Sequence, residues 1–129
     1  MESNVTSFAL DSEGPHLEYK SALKGIPSSV WETYSAFANS DGGTIILGVG
    51  EDDSGKPFLE GIPKPDVRLQ ELWNNLNNPQ VVNYNILREG DIRIIEIEDV
   101  HLIVMNVPRA DRGLKPIYYR RLETGTFKR

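Results

Sequence analysis

Glu13, Glu18 and Lys20, with Asp52 and Asp53 further along the chain, are the side chains best suited to covalent chemistry. Carboxylates carried on neighbouring strands can hold one or two Mg²⁺ or Mn²⁺ ions. Such ions activate a water and steady the charge that develops on a phosphoryl group, while a lysine orients the nucleophile. That is phosphodiesterase chemistry, and it assigns Glu13, Glu18 and Asp52 as metal ligands with Lys20 beside them. The sequence holds no cysteine and only His16 and His101 as imidazoles, so a metal here would be bound through oxygen. Glu18-Tyr19-Lys20 is a short Glu-x-Lys pattern of a kind that arises by chance. Its simpler reading is a salt bridge from Glu18 to Lys20 or to a C-terminal arginine, and Gly14-Pro15 sets a turn between the two glutamates.

A second chemistry is phosphate binding by cations. The chain carries a net charge of −5, which argues against indiscriminate binding of polyanions. Its distribution is uneven. Residues 1–108 hold 7 basic and 17 acidic side chains, whereas residues 109–129 hold 7 basic and 2 acidic. Such asymmetry points to contact with nucleic acid or an acidic partner, against the alternative of a solvated basic face. Lys20, Lys24, Arg109, Arg112, Lys115, Arg120, Arg121, Lys128 and Arg129 are the candidate phosphate contacts, and Tyr118 or Tyr119 could stack on unpaired bases. The two tyrosines fall on opposite sides of a strand, so only one can be core. A negative body with a basic edge could also join its own copies head to edge, as a homodimer or protein-interaction module.

These side chains need elements to position them. His16–Lys20 follows a Gly-Pro turn and reads as a short strand. From Ser28 the period becomes helical, with Val30, Tyr34, Phe37 and Ala38 on one stripe and Trp31 at its margin. Ser29-Val30-Trp31-Glu32 fits a capping box, and Asn39-Ser40-Asp41-Gly42-Gly43 ends the helix. Asn39 can tie that helix end to a neighbouring strand. Thr44–Val49 is a near-continuous β-branched run, expected as a central strand covered on both faces. A proline-rich irregular stretch precedes a second helix over 66–77. Strands are expected over 81–88, 92–98, 100–107 and 117–122, with a hairpin turn at Glu89-Gly90-Asp91 and His101 paired within its strand. Residues 1–11 read as a flexible arm or an edge strand. The sum is one α+β domain, with a mixed, mostly antiparallel sheet of five to six strands and two main helices.

Composition narrows the class. Apolar residues at 39% and charged residues at 26% are ordinary for a folded domain and exclude collagenous or wholly disordered chains. The first residues have no basic leader and no stretch is apolar enough to span a membrane, so a soluble cytoplasmic protein is expected. There is no Gly-x-x-x-x-Gly-Lys-Ser/Thr motif. Gly48-Val49-Gly50-Glu51-Asp52-Asp53 presents carboxylates where a nucleotide phosphate needs N–H groups and cations, so ATP hydrolysis is not expected.

Glu18-Tyr19-Lys20-Ser21-Ala22-Leu23, then Pro27, then Tyr34-Ser35-Ala36-Phe37-Ala38-Asn39-Ser40-Asp41-Gly42-Gly43-Thr44-Ile45-Ile46-Leu47-Gly48-Val49, resembles the signature of the Schlafen AlbA-type domain. Pro116-Ile117-Tyr118-Tyr119-Arg120-Arg121 with Gly125-Thr126 resembles that family's closing strand and turn. The resemblance implies a nucleic-acid-binding module, with DNA the expected ligand, forming the N-terminal part of a longer bacterial transcription regulator. Certain Schlafen relatives are RNA-cutting nucleases with a Glu-x-x-x-x-Glu spacing and an acid just after the Gly-Val strand. Glu13 and Glu18 show that spacing, and Glu51, Asp52 and Asp53 offer the third acid, although Gly50 shifts its register. A divalent-metal-dependent ribonuclease is therefore the alternative, with Mg or Mn as its cofactor. The binding reading needs no cofactor and no catalysis.

Overall fold

The computed structural model describes residues 10–11 and 13–120. Strand β1 (Leu17–Lys20) leads through helix α1 (Ser29–Ala38) to strand β2 (Gly43–Leu47). The two strands are parallel, Leu17 opposite Thr44 and Lys20 opposite Leu47. Parallel neighbours require a crossover, which α1 supplies. Next come a small hairpin of β3 (Val49–Glu51) and β4 (Pro57–Leu59), helix α2 (Pro65–Leu76), strands β5 (Ile92–Ile97) and β6 (Val100–Val107), and a 3₁₀ turn at Arg112–Leu114. The main sheet runs in the order β1-β2-β6-β5, with β6 antiparallel to both neighbours. This is the expected α+β class, its six described strands divided into sheets of four and two. Among the described residues no helix is long and apolar enough to cross a membrane.

Both helices cover one face of the main sheet. Strand register puts Ile45, Leu47, Ile92, Ile103 and Met105 on that face, and they share one buried cluster with Val30, Tyr34 and Phe37 of α1 and Leu72 and Leu76 of α2. Complete burial of an aliphatic side chain of this size contributes about 1.5–3 kcal/mol, so this layer fixes the relation of helices to sheet. Trp31, expected at the stripe's margin, is buried edge-on to Tyr34 with ring centroids 6.1 Å apart.

Local expectations fail in five places. Ser28 is the N-cap of α1 and no side chain caps the helix, so the Ser29–Glu32 capping box does not form. Instead Val30 N and Trp31 N donate to the carbonyls of Pro27 and Ser28, a tight turn that satisfies the first orphan donors. The Thr44–Val49 run is central but not one strand. It breaks at Gly48 (φ 102°), where a Cβ would lie 2.8 Å from Leu102 Cδ2 and 2.9 Å from Ile62 Cγ1, and Val49 starts the second sheet. Only one face of β2 is fully buried, since Thr44 and Ile46 remain partly exposed.

The main-sheet hairpin turns at Glu98-Asp99 (φ 50° and 70°), between the paired Ile97 and Val100, rather than at residues 89–91. Two consecutive left-handed residues match the twist of the flanking strands. Residues 81–88 form no strand, and their one ladder contact is a bridge from Val82 to Tyr119. Their backbone finds side chains instead: Tyr34 Oη donates to Tyr84 O (2.7 Å) and accepts from Ile86 N (3.0 Å), Asn85 Oδ1 accepts from Leu87 N, and Asp91 Oδ2 accepts from Arg88 N. Burial pushes the Tyr34 phenol up to about 12, keeping it a neutral donor. The 117–122 strand is likewise reduced to bridge positions at Tyr118 and Tyr119, with residues 121–122 outside the described residues. Most of the expected N-terminal arm also lies outside them.

Candidate nucleic-acid interface

The proposed site residues divide between two ends of the main sheet. At the C-terminal end of β1, Glu13, Glu18, Ser21 and Glu51 line a cleft of about 460 Å³. Glu13 Oε2 accepts from Tyr19 N at 2.7 Å, and Tyr19 Oη donates to Asp11 O. Burial raises the Tyr19 phenol above its ordinary value, with Asp11 and Glu13 adding to the rise. Lys20 Nζ lies 3.6 Å from Glu18 Oε2, each side chain less than one-fifth exposed. The sequence's simpler reading of that pair as a salt bridge is what the fold displays.

Asp52 stands apart from these glutamates. Its Oδ1 accepts from Ser54 N, Ser54 Oγ and Lys56 N at 2.7–2.9 Å, closing the turn between β3 and β4. The Ser54 hydroxyl bond, then the Lys56 amide bond, hold its carboxyl below the ordinary value. The acid that joins Glu13 and Glu18 in the cleft is Glu51, the last residue of β3, while Asp52 is engaged in the turn that follows. Among the described residues no three Asp, Glu or His side chains converge closely enough to hold a metal ion. The set of Glu13, Glu18 and Asp52 therefore does not fit a divalent metal in this arrangement.

At the other end, β6 finishes beside the start of β2, with Val107 opposite Gly43. The chain then carries Arg109, Arg112, Lys115 and Arg120 within twelve residues. Gly42 (φ 83°) makes this approach possible, since a Cβ there would sit 2.7 Å from Val107 O and 3.1 Å from Arg109 N. Ala110 N donates to Ala38 O at 2.8 Å. Further on, Asn39 grips Ile117 by both backbone groups, Nδ2 to the carbonyl and Oδ1 from the amide, each 2.7 Å. Ser35 Oγ donates to the same carbonyl at 2.6 Å. Asn83 holds the flanks, with Nδ2 to Pro116 O and Oδ1 from Tyr118 N. The helix-end tie expected of Asn39 is thus present, and Asn83 and Ser35 are partners that sequence reasoning missed.

Backbone anchoring leaves the cations outward. Arg109 and Arg112 are exposed, and among the described residues the one ion contact of Arg109 is a long 3.9 Å approach to Asp41. Arg112, Lys115 and Arg120 have no ion pair among the described residues. The Arg120 guanidinium lies 4.9 Å from the centroid of the Tyr119 ring. Tyr118 and Tyr119 are both half-buried, so neither is complete core. Lys20 and Lys24 do not join this group, because Lys20 ends β1 opposite Leu47 and Lys24 follows it, at the other end of the parallel β1–β2 pair. Arg121, Lys128 and Arg129 lie outside the described residues.

Beside the basic segment runs a groove of about 780 Å³. Thr44 and Asn106 line it from β2 and β6, Tyr84 and Arg88 come from the segment before β5, and Arg109 from the loop after β6. Tyr84 and Arg88 carried no sequence signal, since a stretch read as strand and turn gives no reason to look for a groove.

A family model described as Schlafen, AlbA_2 matches residues 13–129, and the chain belongs to that family. The solution structure of the N-terminal domain of a protein from Nitrosomonas europaea described as related to the ATP-dependent DNA helicase RecG is 31% identical with a TM-score of 0.72. That match covers 92% of this chain and 80% of that one. The DIP2311 protein from Corynebacterium diphtheriae shares the fold at 16% identity and a TM-score of 0.55, over 92% of this chain and 22% of its own. No curated protein matches the sequence.

Proposed function

We propose that this domain binds nucleic acid, with DNA as the expected ligand, through the basic segment that follows β6, as the DNA-contacting part of a transcription regulator. The observation that carries the reading is the state of the cations there. Lys115 and Arg120 flank the 116–118 backbone that Asn39, Asn83 and Ser35 hold, Arg112 lies in the turn just before it, and no described carboxylate pairs with any of the three. Positioned cations without internal partners are what phosphate contact requires. The helicase-related name of the Nitrosomonas relative is consistent with a nucleic-acid ligand.

The test is binding of labelled duplex DNA and single-stranded RNA across a salt series. The expected result is an affinity that falls linearly in log–log form with salt. A protein with Arg112, Lys115 and Arg120 all changed to alanine should lose most of the binding. Salt-insensitive binding, or a triple variant that binds like the parent, would sink the proposal.

The cleft that gathers Glu13, Glu18 and Glu51 favours one second reading, a metal-dependent ribonuclease. Among the described residues these acids do not converge on one point as metal ligands would. Mn²⁺ and chelator arms on the same gels decide it, because cleavage that chelator stops and Glu18→Gln abolishes would make the domain an enzyme. Self-association without nucleic acid would favour the interaction module instead.

A further inference from the structure

We infer that the 780 Å³ groove beside the basic segment is a recognition site for a short single-stranded stretch of nucleic acid, with Arg88 and Arg109 on its phosphates and Tyr84 as a stacking platform. The inference rests on the proposed nucleic-acid function and specifies its ligand. Arg88 is exposed and in no described ion pair, and it enters the groove from the segment before β5, whereas Arg109 enters from the loop after β6. Their backbone positions are set independently. Arg88 N donates to Asp91 Oδ2 at 2.8 Å, and Arg109 sits between the Gly42 approach and the Ala110–Ala38 bond.

Tyr84 is 50% exposed although its carbonyl is fixed by the buried Tyr34 phenol. An exposed aromatic ring on an anchored backbone offers a face to an unpaired base without first having to be ordered. The polar lining fits a base better than a phosphate alone. Thr44 Oγ1 donates to Asn106 Oδ1 at 3.1 Å, which leaves the Asn106 amide as a donor on the groove wall. Asp91 and Asp111 also line the groove. Carboxylates repel a phosphate but accept from the exocyclic amino groups of bases. Two arginines, two carboxylates, an amide and a tyrosine in one groove therefore suit a nucleotide whose base is out of its stack, which a duplex does not offer. The volume lies within the usual range of ligand clefts.

Anisotropy of a labelled mixed-sequence single strand of a dozen nucleotides, beside the same sequence as duplex, tests this on the full chain. Tyr84→Ala should weaken single-strand binding roughly tenfold, with Tyr84→Trp restoring it and duplex binding unmoved. Arg88→Ala should reduce the log–log salt slope for the single strand by about 0.7, the loss of one phosphate contact. Lys24→Ala, at the far end of the sheet, should change neither. If Tyr84→Ala and Arg88→Ala bind the single strand like the parent while the Arg112, Lys115 and Arg120 triple variant does not, the groove is not the site and the basic segment remains. If the parent protein binds neither strand form, the functional reading falls and takes this site with it.

Discussion

The acidic cleft and the basic segment lie at opposite ends of the same β1–β2–β6 core, and they treat charge in opposite ways. In and beside the cleft most of the acids are themselves bonds of the fold: Glu13 holds Tyr19 N and Glu18 pairs with Lys20, while Asp52, outside the cleft, closes the neighbouring turn. Along the basic segment the fold is held by backbone groups and by neutral Asn and Ser side chains. A charge already engaged by its own chain must lose that partner before it can meet a ligand. A charge on anchored backbone gives up little on binding. Charge count alone ranks the acidic end as the more chemical one, yet the state of the charges ranks the basic end as the more available.

The sharpest way to break this comparison is to remove an anchor. Asn39→Ala leaves Ile117 N buried without its acceptor, because Ser35 serves only the carbonyl. Urea denaturation should show a loss of about 2 to 3 kcal/mol, the cost of an unsatisfied buried donor, and nucleic-acid affinity should drop with the loosened segment. A full-stability variant would mean that the segment is not held as described. Gly42→Ala comes next. Its left-handed conformation and the contact with Val107 O should together destabilise by about 2 kcal/mol in the same assay.

Charge removal separates the two ends without unfolding either. Arg112→Ala and Lys115→Ala should each flatten the duplex salt slope by about 0.9, one phosphate apiece, whereas Glu18→Gln should leave binding within about twofold, since an engaged charge away from the ligand adds little. Equal effects at both ends would erase the contrast. The smallest expected effect is at Asp52. Its folded value lies below the ordinary 3.8, so the turn's stabilisation is complete above that ordinary value and is lost as pH falls through the folded one. The carboxyl resonance of Asp52 followed by NMR should titrate below 3.8, and a midpoint at or above it would mean that Ser54 and Lys56 do not hold the carboxylate.

Several elements are legible in the amino-acid sequence alone. The 100–107 strand is found with those bounds, α1 and α2 within a residue or so, and the 16–20 strand as Leu17–Lys20. Each has a period that burial against one neighbour enforces, so local pattern and tertiary packing agree. The Asn39 tie is legible too, because an asparagine beside a Gly-Gly turn has few other uses. The 81–88 stretch misleads because apolar residues alternating with asparagines read as a strand, whereas Tyr34, some fifty positions earlier, supplies what a neighbouring strand would have supplied. The third acid of the cleft is displaced by one residue from its expected position, since pairing of β3 with β4 places Glu51 at the cleft and leaves Asp52 to accept from Ser54 and Lys56 in the turn.

By itself the sequence determined the α+β class, the order of its helices and principal strands, the glycine turn and the gathering of cations after residue 108. These follow from periodicity, backbone permission and composition, all local properties. Only the tertiary structure decided which charges are engaged and which stand free, that Lys20 and Lys24 lie apart from the basic segment, and that Tyr84, Arg88 and Arg109 share one groove. Those facts depend on strand register and on bonds between distant residues, and a pair interaction has no definite partner until the chain between its members has folded.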